Sequence, residues 1–439
     1  MTIPIAIIFG IMVLAYAAAK ARKLSVETSI FAAALAGGLA GAFWRTPPLR
    51  DLARHMVEGS FTYLDVILLF TTATIFMAII SESGGVDYAV RGVMKTLSKT
   101  RALALIVLMI IILIPGALTG AGSVSLLVVG APVALALHNL MIPPKRIAAI
   151  LFITAGLAAA APPVNIWAMI LCAGTAIPYV GFELPLGIPV LLLGTFTVLA
   201  LGLKKDKSIA GDPSAAAQKL PEAPAKMSWW RVLVPFLVFF GLVGAYRIWP
   251  FATPILGLAL EFAIAALAAL LVSPKRIAIL RVSRDTVKRL LPLLATTVVV
   301  GMLQQVMTAT GVRGLLSFAV ISIPLVLLFI LLAVIIPVSE AVLTYGGAAI
   351  VGIPLVWFLD SIGLHATIVI AALSFLWALG DGLPPTALIG RLSVMVSDYK
   401  GSYGSFLRAT WLPWLVITVT AILMIVFSAK LAFLVRWSM

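Results

Sequence analysis

The chain has 439 residues, 62% of them hydrophobic and only 11% charged, with a formal net charge of +15 and a mean hydropathy of +1.17. A soluble core of that composition would leave far too much apolar area facing water, so lipid is the solvent. The basic excess lies in short clusters between apolar runs (Lys20/Arg22/Lys23, Arg91/Lys95/Lys99/Arg101, Lys204/Lys205/Lys207 and Lys275/Arg276/Arg281/Arg284/Lys288/Arg289), which is the positive-inside pattern of a multi-pass protein and not a nucleic-acid footprint.

A membrane-spanning helix needs about 20 mostly apolar residues. On that criterion the first half, residues 1–203, holds runs at Ile3–Ala19, Ser29–Trp44, Tyr63–Ile80, Ala102–Pro115, Ile147–Ala176 and Leu184–Leu203. The first run follows Met1 with no basic segment and no small-residue cleavage site, and reads as a retained span. Residues 204–228, rich in Lys, Ala and Pro, read as a polar linker. The second half, residues 229–439, holds runs at Trp230–Trp249, Thr253–Val272, Leu290–Thr308, Leu315–Ile336, Ala366–Val396 and Thr410–Val435. The expected fold class is an all-α polytopic membrane protein of two halves.

The halves superpose without a gap. Pro115 pairs with Pro337, Gly130 with Gly352, Pro132 with Pro354, Pro162 with Pro384 and Pro163 with Pro385, always 222 positions apart (337 − 115). Four of the six prolines between residues 114 and 163 thus find a proline partner, well above what 26 prolines in 439 residues give by chance. Just after the first of them, each half becomes too short and too rich in small residues for an ordinary span, in PGALTGAGSVSLLVVGAPVALAL and PVSEAVLTYGGAAIVGIPLVWFL. Each reads as a re-entrant helical hairpin, at about 116–140 and about 338–362, with tips at Ser123–Ser125 and Tyr345–Gly347 buried in protein or lining a wet cavity. A single span with a flexible glycine patch is the alternative. A double proline then interrupts a helix in each half, at about 147–176 (LAAAAPPVNIW) and about 366–396 (LGDGLPPTALIG). Paired prolines unwind a helix, and unwinding at bilayer depth exposes carbonyls and half-helix ends that hold ions and substrate.

Ionisable groups at that depth are functional by default. Asp381, three residues before Pro384, could ligate Na⁺, carry a proton, or cap the half-helix that follows. Glu340, on the first arm of the second hairpin, is the other charged candidate, with an aqueous hairpin mouth as its alternative setting. Thr119, Ser123, Ser125, Asn165, Thr344 and Thr386 supply neutral polar groups beside Gly120, Gly122, Gly346, Gly347 and Gly382 and the prolines Pro162, Pro163, Pro384 and Pro385. A Na⁺ position is expected near Ser123, Asn165 and Asp381. Arg391 either attracts an anionic substrate or snorkels to the interface, and Asp65, Glu261 and Asp360 fall outside the site. The lone Cys172 excludes an intrachain disulfide, and His55, His138 and His365 lack ligand spacing, so no cofactor, structural metal or enzyme site is expected. A channel also uses re-entrant loops, but paired broken helices in repeated halves favour alternating access.

These motifs resemble a known family. PPVNIWAMILCAG followed by GIPVLLLG, together with DGLPPTALIG, GALTGAGSVS and IISESGGVDYAV, is similar to the large membrane subunit of tripartite ATP-independent periplasmic (TRAP) transporters, across essentially the whole chain. The resemblance implies an elevator-type secondary transporter of the bacterial inner membrane, with inverted repeats, a Na⁺ gradient as driving force and a small organic anion as cargo. It also implies two partners, a small four-helix membrane subunit and a periplasmic substrate-binding protein. A stand-alone symporter of the wider ion-transporter superfamily is the alternative. The chain departs from the family pattern at Val164 and Asn165, where Ser is usual, and at Leu383, where Thr is usual. Six runs per half would make the halves parallel, whereas inversion requires an odd number of crossings, so one assigned segment must be wrong.

Overall fold

A computed structural model describes residues 2–44, 47–97, 100–204, 222, 224–249 and 252–438, and every regular element among them is helical. Most of the linker expected at 204–228 lies outside the described residues. The first half runs α1 (Thr2–Ala21), α2 (Val26–Phe43), α3 (Leu49–Ser60), α4 (Leu64–Glu82), α5 (Gly85–Leu97), α6 (Arg101–Thr119), α7 (Gly122–Ser125), a π-helical turn (Leu126–Gly130), α8 (Ala131–Asn139), α9 (Pro144–Ala159), α10 (Ile166–Thr175) and α11 (Glu183–Gly202). The second runs α12 (Trp229–Ile248), α13 (Leu258–Val272), α14 (Ile279–Ala309), α15 (Val312–Ile321), α16 (Leu325–Leu343), a second π-helical turn (Ala348–Gly352), α17 (Ile353–Ser361), α18 (Ala366–Gly380), α19 (Leu388–Val396), α20 (Tyr403–Ala409), α21 (Trp411–Val426) and α22 (Ser428–Ser438). Both π-helical turns, and the starts of α8 and α17, α9 and α18, and α10 and α19, lie 222 residues apart (348 − 126, 353 − 131, 366 − 144, 388 − 166).

Helices α3 and α5 escape a span-length criterion because only one face of each is apolar. In α3, Leu52, Met56 and Gly59 turn inward at helical spacing while Arg50, Arg54 and Glu58 face out. In α5, Val86, Val90, Val93 and Met94 are buried and Lys95 and Thr96 exposed. At the position repeating α3 and α4, the second half has one unbroken helix, α14, which starts well before the expected Leu290.

The hairpins differ from the sequence reading in a way that resolves the span count. The helix that contains Pro115 does not precede the first hairpin but forms its first arm: α6 runs through Pro115 to Thr119, and the chain reverses at Gly120, whose φ of +69° suits glycine. The tip is therefore Gly120–Ala121, and Ser123 and Ser125 lie on the first turn of the returning arm, where the Ser125 hydroxyl donates to Ile112 O of the outgoing arm at 2.7 Å. Likewise α16 runs through Pro337 to Leu343 and reverses at Thr344–Gly347. The expected span Leu315–Ile336 is split between α15 and α16. Each hairpin, entering and returning, contributes an even number of crossings. The first half is left with α1, α2, α4, the interrupted α9–α10 and α11, and the second with α12, α13, α14, the interrupted α18–α19 and α21: five in each, an odd number. Nine helical stretches among the described residues are long and apolar enough to cross a membrane.

Packing separates two bodies. Helices α1–α4 pack with α12–α14 as a scaffold, and α6–α11 pack with α16–α22 as a core; α5 and α15 touch both, and α4 and α14 also reach the core, α4 at α6, α10 and the first π-helical turn and α14 at the second. The interrupted helices are central: α9 from Ile147 onward and α18 from Thr367 onward are buried on every face, which is why their sequences show no polar stripe.

Candidate functional site

Both helix breaks are pinned by the carbonyls that close the first hairpin arms, which have no partner within their own helices. Val164 N–H donates to Ala117 O at 3.0 Å, and in the second half Thr386 donates to Ala341 O through its N–H at 3.2 Å and its hydroxyl at 2.9 Å. The next carbonyl of α16, Val342 O, accepts from the scaffold residue Tyr16. The hairpin tips also meet each other, because Tyr345 at the second tip donates to Gly120 O of the first at 3.2 Å.

The two breaks differ in chemistry. At the first, Asn165 is fully buried and N-caps α10, accepting from Ala168 N–H at 3.0 Å. Its amide donates to Ala160 O at 3.1 Å, and Ser374 of α18 donates to its Oδ1 at 3.4 Å. Tyr179 closes this loop by donating to Pro163 O and accepting from Asn165 N–H, both at 3.1 Å. Asn165 thus ties the half-buried Pro162–Pro163 loop to α18 rather than facing Ser123 or Asp381.

At the second break, Asp381 does not cap the half-helix that follows it. Ala387 occupies that N-cap without a side-chain bond, and Asp381 instead forms the C-cap of α18. There it meets the negative end of the helix dipole. Its side chain is 6% exposed and its carboxylate receives no hydrogen bond from the described residues. Glu340 is 1% exposed; Trp167 Nε1 donates to its Oε2 at 2.9 Å, and its Oε1 is buried with no partner. Glycine permits this approach of α18 to α16, since a Cβ on Gly380 would lie 2.3 Å from Pro337 O and 2.5 Å from Glu340 Cβ.

Glu340 and Asp381 line one small cavity of about 20 Å³, with Gly122 and Ser123 of the first hairpin, Thr344 and Tyr345 of the second, Leu388 and Ile389 of α19, and Leu293 of the scaffold helix α14. That volume admits about one water-sized guest. No Lys or Arg among the described residues lines it. Of the residues marked in the sequence, Gly122, Ser123, Glu340, Thr344 and Asp381 therefore converge. Thr119 and Ser125 spend their hydroxyls on backbone carbonyls within the first hairpin, Pro115 O and Ile112 O. Gly346 faces Val300 of the scaffold helix α14, Gly347 packs against Ser339 within the second hairpin, and Gly382 faces the Phe152 ring. Trp167 was not marked in the sequence; its one signal is an indole N–H in an apolar run, which must find an acceptor when buried.

A second, open cavity of about 840 Å³ separates scaffold from core. Ser123, Thr344, Pro385, Thr386 and Arg391 line its core side, and its scaffold side reaches helix ends at Lys20 of α1 and Arg281 of α14.

Residues 1–186 match the family described as the DctM component of the tripartite ATP-independent periplasmic transporter, in agreement with the resemblance carried by the motifs. The fold is similar to that in a crystal structure of the YdaH transporter from Alcanivorax borkumensis, with a TM-score of 0.55 and 15% identity over 86% of this chain and 87% of that one. No curated protein matches the sequence.

Proposed function

We propose that the chain is the large permease subunit of a TRAP-type secondary transporter, in which the core carries a small organic anion such as a carboxylate past the scaffold, driven by a Na⁺ gradient. The observation that carries this reading is the pair Glu340 and Asp381 on one guest-sized cavity, lined by the returning arm of the first hairpin, the tip of the second, the second break and Leu293 of the scaffold. Two carboxylates buried without a cationic side chain, one of them at a helix C-terminus, call for neutralisation by a proton or a small cation, and Na⁺ is the cation this reading assigns. Because Thr344 and Tyr345 of the second tip line that cavity, cation occupancy and the position of that tip are linked, and the adjoining large cavity supplies the cargo's place.

Five crossings per half support inverted repeats, since they put the clusters at Lys20, Arg91, Lys204 and Lys275 on one face, the cytoplasmic one. The large cavity, reaching Lys20 and Arg281, then opens inward. A four-helix membrane subunit and a periplasmic binding protein complete the proposed system in the bacterial inner membrane. Proteoliposomes supplied with both partners should accumulate a radiolabelled carboxylate above its equilibrium level only under an inward Na⁺ gradient. Uptake that merely equilibrates, or that follows ATP hydrolysis, refutes the reading.

A further inference from the structure

The charges around the large cavity are divided unequally between the two bodies. The scaffold wall carries three cations, Lys20, Arg281 and Arg289, and three carboxylates, Glu27, Glu82 and Asp285. Arg281 pairs with Glu82 at 3.4 Å, and the wall as a whole is balanced. The core wall of this cavity carries one charge, Arg391, in the first turn of α19. Arg391 is exposed to the cavity and held over the second break by a bond from Nη2 to Pro385 O at 2.9 Å. Its remaining N–H donors have no partner among the described residues. Three hydroxyl side chains, Ser123, Thr344 and Thr386, share that core wall.

Cargo that moves with the core must keep its counter-charge there, because a bond to the scaffold breaks when the two bodies slide. From this division we infer that Arg391 is the anion anchor of the cargo site, and that the cargo is a hydroxylated monocarboxylate. The guanidinium fork receives the carboxylate, a geometry that an ammonium does not reproduce. The three hydroxyls receive the cargo's own hydroxyl groups, and the core wall offers no second cation to a dicarboxylate. Arg281, paired with Glu82, and Arg289, which stands on α14 of the scaffold, line the path and do not travel with the core. This inference rests on the transport reading above.

The test is ligand-induced thermal stabilisation of the full chain in nanodiscs, measured in Na⁺ buffer and again in choline buffer of the same ionic strength, which requires no partner protein. The probes are gluconate, galactonate and glycerate as hydroxylated monocarboxylates, succinate as a dicarboxylate, and glucose as a neutral polyol. At least one hydroxylated monocarboxylate should stabilise the chain, with succinate binding more weakly and glucose giving no shift. Arg391→Gln should weaken that binding by about tenfold to a hundredfold, as expected for loss of hydrogen bonds to a charged partner. Arg391→Lys should recover only part of it, while Arg289→Gln stays within about twofold of the wild type, as an interaction screened by solvent should. The ligand-free melting temperature of each variant reports folding separately. A silent response to all three monocarboxylates, tighter binding of succinate, or undiminished binding in Arg391→Gln overturns the inference. Binding that depends on Arg391 but not on Na⁺ keeps the anchor and defeats the ion-coupling reading instead.

Discussion

Replacing Asp381 with Asn separates an ion ligand from a structural carboxylate, because the expected effect on stability changes sign with Na⁺. Asp381 is buried at the C-terminal end of α18 and receives no hydrogen bond from the described residues. When it holds neither a cation nor a proton, its charge opposes the helix dipole, at a cost of about 0.3–1 kcal/mol for an exposed group and up to ~2 kcal/mol where partly buried. In choline buffer free of Na⁺, Asp381→Asn should therefore be more stable than the wild type by an amount of that order. Adding Na⁺ at tenfold its dissociation constant should stabilise the wild type by about 1.4 kcal/mol through binding linkage alone and leave the variant nearly unmoved. The order of the two melting temperatures should thus narrow or reverse as Na⁺ is titrated with choline at constant ionic strength. Because Ala387 occupies the N-cap of the next half-helix, no loss of capping confuses the comparison. A variant less stable than the wild type in choline that keeps the full Na⁺ response would show that Asp381 does not ligate the ion.

Three other outcomes follow from the same geometry. Gly380→Ala should destabilise by about 1–3 kcal/mol through overpacking, despite the helix propensity of alanine, because its methyl would sit 2.3 Å from Pro337 O; thermal melting checks this. Trp167→Phe removes the donor to Glu340 Oε2 and should cost about 1–3 kcal/mol, with a weaker Na⁺ response in the same melts; an unchanged response would detach Trp167 from the ion site. Single cysteines at Arg54 and Arg276, both exposed and 222 residues apart (276 − 54), should react with a membrane-impermeant maleimide from opposite faces of oriented vesicles, and labelling from the same face would make the halves parallel.

Much of the architecture was legible because the sequence repeats itself. The constant spacing of Pro115 and Pro337, and of the two double prolines, marks features that a single hydropathy profile blurs, and the elements recur at that spacing. What the sequence hid follows from how little local chemistry distinguishes the alternatives. Helix α3, α5 and α15 are short and half polar or too short to span, so they fail a criterion built on continuous apolar length. The scaffold residue Tyr16 reaches Val342 O across 326 positions, and Trp167 reaches Glu340 across 173, separations over which no periodicity speaks.

The hairpin boundary shows how a local rule fails at the candidate site. Proline inside a helix removes one N–H and is ordinarily read as an end, so Pro115 and Pro337 stood as the borders between a span and a hairpin. The structure carries each helix a further four to six residues past its proline, to Thr119 and Leu343, before the chain turns. Those extra turns bring the terminal carbonyls of each first arm to the helix breaks, where Val164 and Thr386 take them as acceptors, and they carry Glu340 to the cavity that Asp381 also lines. Had the helices ended at their prolines, neither pinning bond could form and Glu340 would stand outside any helix. One change of boundary therefore alters the parity of the span count and assembles the carboxylate pair, so the topology and the proposed ion site stand on the same few residues between each proline and its tip.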